Sequence, residues 1–321
     1  MDVFDGLPDP IVVDILNKVG DVRTLLRCSS LSKRFNSLVP QSDSLLLRLE
    51  HPESDTPVVC SVFRSLFNSL HGLFSLFSKP AKPISTTSLS PNIPSKILSR
   101  FEKIRSLDVE LPAGDFKLEK GAAVKWKAEF GKTLKSCVVV AFRSAATVSP
   151  PVNECSSTVD GESDAEFVTG LKTRVVWTIS ALMAASSRHY LMRDVVKEHE
   201  EMESLVMRDR EGEGVVVMDT EGLREFRKTE ARGEDEERVE KNRRSVVPSV
   251  RMSMRHAPLL KLKSGICLES ATLVIVRPSG ADNGGDDADL ATEAFAGDCM
   301  YGEAVVALLK RKKNALEMNS F

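Results

Sequence analysis

The sequence predicts an α/β protein in two parts. A module of three short helices fills residues 1–50, and a leucine-rich-repeat-like or compact α/β domain fills residues 96–321. Two observations predict this division. Residues 4–38 carry three apolar stripes at helical spacing, each closed by a turn residue. Beyond residue 96, short alternating or wholly apolar runs alternate with helical periodicity, the mark of strands packed under helices. Residues 51–95 separate the two parts and differ from both in composition.

Each helix of the module has its own signals. Asp9 is placed to cap the first, with Pro10 in its first turn, where a missing N–H costs nothing. Ile11, Ile15, Leu16 and Val19 recur at helical spacing, and Gly20 supplies the stop. Asp21 caps a second helix whose apolar face is Val22, Leu25 and Leu26. A third carries Leu31, Phe35 and Leu38, with Lys33 and Arg34 toward water. Helices this short cannot hide all these apolar groups among themselves, so the surplus is expected to dock onto something.

Leu7-Pro8-Asp9-Pro10, Ile15-Leu16, Asp21-Val22 with Leu25-Leu26, and Leu31-Ser32-Lys33-Arg34-Phe35 with Leu38 together resemble an F-box. Only Cys28-Ser29-Ser30-Leu31 departs from the pattern, where that family often has an arginine and a valine. The chain further resembles plant F-box proteins of the auxin up-regulated type. That likeness is carried by Phe4–Leu49 and by the terminal Glu317-Met318-Asn319-Ser320-Phe321.

The resemblance implies a non-catalytic, substrate-recruiting subunit of an SCF (Skp1–cullin–F-box) E3 ubiquitin ligase. It implies a Skp1-like adaptor as direct partner, a cullin reached through that adaptor, and an unknown protein substrate. It also implies a role in plant hormone response, to auxin or cytokinin, and a place in the nucleus, the cytoplasm or both. Leu7, Pro8, Ile11, Ile15, Leu16, Val22, Leu25 and Leu26 match positions expected to meet the adaptor. Val19, Leu31, Phe35 and Leu38 match the expected F-box core. Losing a central anchor such as Leu7 or Leu16 is expected to cost about 2–4 kcal/mol of binding. Two alternatives stay open: a scaffold that uses Skp1 without ligase activity, and a C-terminal small-molecule-binding domain.

The middle segment opens with an amphipathic helical pattern over 58–77, with Val59, Val62, Phe63, Leu66, Phe67 and Leu70 on one face. Its polar side, with Arg64 and Asn68, argues against membrane insertion. Residues 78–95 are rich in Pro, Ser and Thr and read as a linker.

In the larger part, strands are predicted at 106–111, 122–130 and 134–142, the last apolar enough to be buried on both faces. Loops are expected near 144–165, 224–244 and 279–298. The longest helical signal runs from Glu166 to about Met207, with His189 and His199 read as surface groups. Further strands are predicted at 214–219, 246–254, 259–263 and 271–276, and a closing helix over 302–318.

Chemistry is sparse. No nucleophile elbow, zinc-protease or P-loop pattern occurs. The six cysteines form no C-x-x-C pair, and the five histidines fall at no metal-ligand spacing, so neither a metal site nor a cofactor is expected. A net charge of −2 gives no global attraction to nucleic acid. Lys310–Lys313 is a basic tract that reads either as a nuclear import signal or as cations favoured by a helix C-terminus.

Overall fold

The computed structural model describes residues 3–49, 92–112, 122–147, 170–230, 246–280 and 286–320. The amphipathic pattern at 58–77 lies outside the described residues, as do most of the linker and parts of the three expected loops.

The chain is mixed α/β, built on one ten-stranded sheet. Three helices come first: α1 (Asp9–Val19), α2 (Val22–Cys28) and α3 (Lys33–Leu38). Strand β1 (Ser44–Arg48) follows them directly. Helix α4 (Asn92–Leu98) precedes β2 (Ser106–Leu111), β3 (Ala123–Phe130), β4 (Leu134–Phe142) and β5 (Ser144–Thr147). Helices α5 (Leu171–Leu191) and α6 (Arg193–Glu198) lead to β6 (Ser204–Asp209) and β7 (Gly214–Met218). Next come α7 (Thr220–Glu230) and the long pair β8 (Val250–Lys261) and β9 (Ile266–Pro278). Helices α8 (Asp287–Ala294) and α9 (Cys299–Leu309) and strand β10 (Asn314–Met318) complete the described elements.

The strand order is β1-β2-β6-β7-β3-β4-β9-β8-β10, with β5 paired to β9 off this path. The pairs β1–β2, β2–β6 and β3–β7 are parallel and the rest antiparallel. One mixed sheet thus takes the place of the repeated turns of a leucine-rich solenoid. β1 stands before residue 50 and pairs with β2 after residue 96, so the sheet crosses the boundary drawn from the sequence.

Alternation explains the two cores. In β3, Val124, Trp126, Ala128 and Phe130 are buried on one face and Lys125, Lys127 and Glu129 stand on the other. In β4 both sets are buried: Val139 and Ala141 join the main cluster, while Val138, Val140 and Phe142 join a second one. The main cluster holds Trp177 and Leu182 of α5, Val195 of α6 and Leu223 of α7. The second holds Ala291 of α8 and Val305 and Leu308 of α9. β4 is therefore the middle of three layers, as its continuous apolar run predicts.

Several expectations are corrected. Residues 92–95 of the expected linker belong to α4. Residues 144–147 form a strand because they complete the ladder beside β9. Residues 224–230 continue α7, a charged helix whose inner side is anchored by Leu223 and Phe226 and by Arg227, which donates to Val196 O, His199 O and Met202 O. The expected loop at 279–298 holds α8, whose Asp286 caps Ala288 N–H at 3.0 Å. The long helix ends at Leu191, a short α6 follows, and residues 204–207 are strand. The closing helix stops at Leu309, and residues 314–318 pair with β8 as an edge strand.

Candidate docking surface on the N-terminal helices

Helix α1 has two apolar stripes rather than one. Val12 and Leu16, four residues apart, turn inward and are 1% and 3% exposed. Ile11, Ile15 and Val19 recur at the same spacing one step round the helix and are 46%, 36% and 43% exposed. Pro8 occupies the N-cap position with an extended backbone, so the helix starts one residue earlier than predicted and Asp9 is its first residue rather than its cap. At the other end Gly20 takes φ 60° and returns its N–H to Leu16 O, a conformation that favours glycine.

Asp21 caps α2 as predicted, and Ser32 caps α3. Asp21 accepts from Thr24 N–H at 3.0 Å and from Thr24 Oγ1–H at 2.6 Å. Ser32 accepts from Phe35 N–H at 3.2 Å. Burial of Asp21 opposes its ionisation, but the hydrogen bonds from Thr24 and the nearby Arg48 and Arg23 outweigh this and hold its carboxyl below the usual range. Asn17 Oδ1 accepts from Asp43 N–H at 3.0 Å, which ties α1 to the entry of β1.

The predicted partner-facing residues divide accordingly. Pro8, Ile11 and Ile15 are exposed. Leu16, Val22 and Leu25 are buried at 3%, 1% and 0%, in the same cluster as Leu45 and Leu47 of β1. Leu7 and Leu26 are half-buried against that cluster. Of the predicted core, Leu38 is buried and Phe35 half-buried, its ring edge-on to Phe4 at 5.4 Å. Val19 and Leu31 are the correction: they are 43% and 71% exposed. Val19 continues the outer stripe, and Leu31 sits in the turn between α2 and α3, so neither reaches the sheet.

Val12 is a core residue that sequence reasoning missed. Its spacing to Leu16 was visible, but Ile11 and Ile15 offered an equally apolar stripe. Other exposed apolar side chains, Ile93, Tyr190, Leu259 and Val306, come from four separate elements. A run on one helix face differs from such scatter.

Arg188, Asp209 and His189, buried against the sheet, have structural partners. Arg188 donates to Asp209 Oδ2 at 2.9 Å and to Gly214 O at 2.5 Å, with its guanidinium 4.7 Å from the Trp126 ring centre. Asp209 also accepts the Glu213 and Gly214 N–H groups, so the glycine turn 212–214 is filled by a side chain. His189 and His199 are buried, not surface groups. His189 stacks on Phe130 and bonds Gly131 O at 3.0 Å; burial pushes its pKa down to about 4, against the small opposing effect of that hydrogen bond. Among the described residues no group of three His, Cys, Asp or Glu side chains could hold a metal, and no helix is long and apolar enough to cross a membrane. A cleft lined by Lys127, Glu129, Ser136 and Leu290 encloses at most about 220 Å³, less than a usual ligand site.

The chain is 83% identical to the F-box protein AUF2 of Arabidopsis thaliana, with each chain covered over its full length. It belongs to the auxin up-regulated F-box family. The F-box protein AUF1 of the same plant is 64% identical, again over the whole of both chains. The F-box protein At4g18380 is 35% identical over all of this chain and 94% of its own length. No protein-family model and no solved structure matches the chain. As an auxin up-regulated F-box protein, it presents Pro8, Ile11 and Ile15 where the F-box resemblance places contacts with an adaptor.

Proposed function

We propose that this chain is the non-catalytic, substrate-recruiting subunit of an SCF E3 ubiquitin ligase acting in a plant hormone response. Its three N-terminal helices are the F-box and dock a Skp1-like adaptor, which brings a cullin; residues 96–321 hold a protein substrate. The reaction is served by proximity: tethering raises the substrate's effective concentration at the charged ubiquitin carrier, and no side chain of this chain takes part in bond making. One observation carries the reading. Ile11, Ile15 and Val19 keep an apolar ridge in water while Val12 and Leu16 anchor the same helix to the core. An exposed ridge on a rigid support is what a helix-mediated partner contact requires.

Co-purification of the full chain with a purified Skp1-type adaptor and a cullin tests this. Recovery of both is the expected result. Adaptor without cullin moves the function to a scaffold that uses Skp1 alone. Recovery of neither sinks the proposal. The small-molecule alternative draws no support from the cleft, whose volume is too small.

We assign the protein to the nucleus, the cytoplasm or both, on the family likeness and on the exposed Lys310-Arg311-Lys312-Lys313 tract. Loss of nuclear signal from a fluorescent fusion when these four become alanine is the expected result; an unchanged distribution removes the tract from the account.

A further inference from the structure

The start of α1 has no side-chain cap. Pro8 and Pro10 have no N–H, and Pro8 at the cap position offers no side-chain oxygen. Yet Leu7 and Pro8 stand at the head of the exposed ridge and must hold one geometry for it to be presented. The side chain that does so comes from α3. Arg34 Nη1 donates to Phe4 O at 2.6 Å, and Nη2 donates to Leu7 O. Nε and Nη2 both donate to Asp9 Oδ1, at 2.9 and 2.7 Å. All three guanidinium nitrogens are used, on acceptors spread across the turn Phe4–Leu7 and the first residue of α1. The edge-on Phe4–Phe35 contact lies beside the same clamp.

We propose that Arg34 is a positioning residue of the adaptor-docking surface: it fixes Phe4–Asp9, and with it Leu7 and Pro8, in the geometry the adaptor receives. The inference rests on the F-box reading. Two physical points favour positioning over general stability. The Arg34 side chain is 32% exposed and Asp9 61% exposed, so without the guanidinium the Asp9 carboxylate turns to water at little cost. The planar fork of arginine meets three acceptors at fixed spacing, a geometry that the point-like ammonium of lysine on its flexible stem does not reproduce. Arg34→Ala and Arg34→Lys therefore act on preorganisation, leaving Val12, Leu16 and Leu25 packed as before.

The test titrates the full chain with a purified Skp1-type adaptor, comparing wild type, Arg34→Ala and Arg34→Lys. Melting temperature and backbone hydrogen exchange are recorded on each. Expected are affinity losses of about tenfold for both variants, an unchanged melting temperature, and faster exchange confined to residues 7–12. Wild-type affinity in either variant overturns the proposal. So does a lowered melting temperature with exchange accelerated throughout α1–α3, which makes Arg34 a fold residue. If wild type itself does not bind, the F-box reading falls first and this proposal with it.

Discussion

Arg48 of β1 faces Asp21, the cap of α2, with Nη1 2.8 Å from Oδ1, and the same guanidinium reaches Glu110 of β2 at 3.5 Å. The joint between helices and sheet is therefore a shared structure. Leu46 N–H bonds Gly20 O at 2.8 Å, and Asp21 lies beside Leu46 as a parallel bridge. Val12, Leu16, Val22 and Leu25 belong to one apolar cluster with Leu107, Val109 and Leu205 of the sheet. A fragment ending at residue 50 leaves these side chains in water and takes β1 away from β2. Such a fragment is expected to be unfolded alone, giving a random-coil circular dichroism spectrum, while the full chain unfolds its helices and β1–β2–β6 in one transition. A folded fragment would contradict this.

That joint also shows what the sequence carried. The cap at Asp21 and the doubly buried β4 could be read directly, because each depends on local chemistry or on period. The partner strands could not. Nothing local in Ser44–Arg48 says that it pairs with Ser106–Glu110, nor in Asn314–Met318 that it pairs with Val250–Met254. The inner stripe of α1 was ambiguous for a different reason: two apolar stripes run along that helix, and only the sheet decides which is buried. In α7, two apolar side chains among charges gave too weak a period for a helix to be recognised.

The division of α1 predicts two kinds of mutant. Leu16→Ala empties a packed site and is expected to cost about 2–5 kcal/mol of stability. Ile11→Ala and Ile15→Ala remove groups already in water and are expected to stay within about 0.5 kcal/mol of wild type. Urea denaturation midpoints of the three variants check this. Equal costs at positions 15 and 16 would mean that the outer stripe is also buried in the free chain.

Three buried histidines set a pH dependence. Burial holds His189 near 4. It does the same for His256, with Arg174 adding to the effect and the hydrogen bond to Ala271 O opposing it. Burial lowers His199 as well, against Glu198. All three are depressed from the usual 6.5, so below pH 6.5 the unfolded chain binds protons that the folded chain refuses, a window that reaches about 4 for His189 and His256. Stability is then complete above pH 6.5 and declines as pH falls toward 4. A urea midpoint lower at pH 5 than at pH 7.5 is expected; an equal or higher one would contradict the buried placement.

A second decline belongs at lower pH. Burial opposes ionisation of Asp287 and Asp298, but hydrogen bonds from Lys313, Ser253 and Arg277 to the first, and from Lys125 and the Tyr301 and Met300 N–H groups to the second, bring both carboxyls below their ordinary value. Their contribution is present above pH 3.8 and is lost as pH falls through their depressed values. Asp287→Asn should flatten the acid limb of the stability curve; an unchanged limb would remove Asp287 from it.

The central claim is that the exposed face of α1 docks the adaptor while its buried face holds the sheet. The most direct measurement titrates a purified Skp1-type adaptor into the full chain and into its Ile11→Asp/Ile15→Asp variant, with melting curves of both. Saturable binding by wild type, a loss of at least about a hundredfold in the variant, and melting temperatures that agree are expected. Undiminished binding by a folded variant, or no binding by wild type, would contradict it.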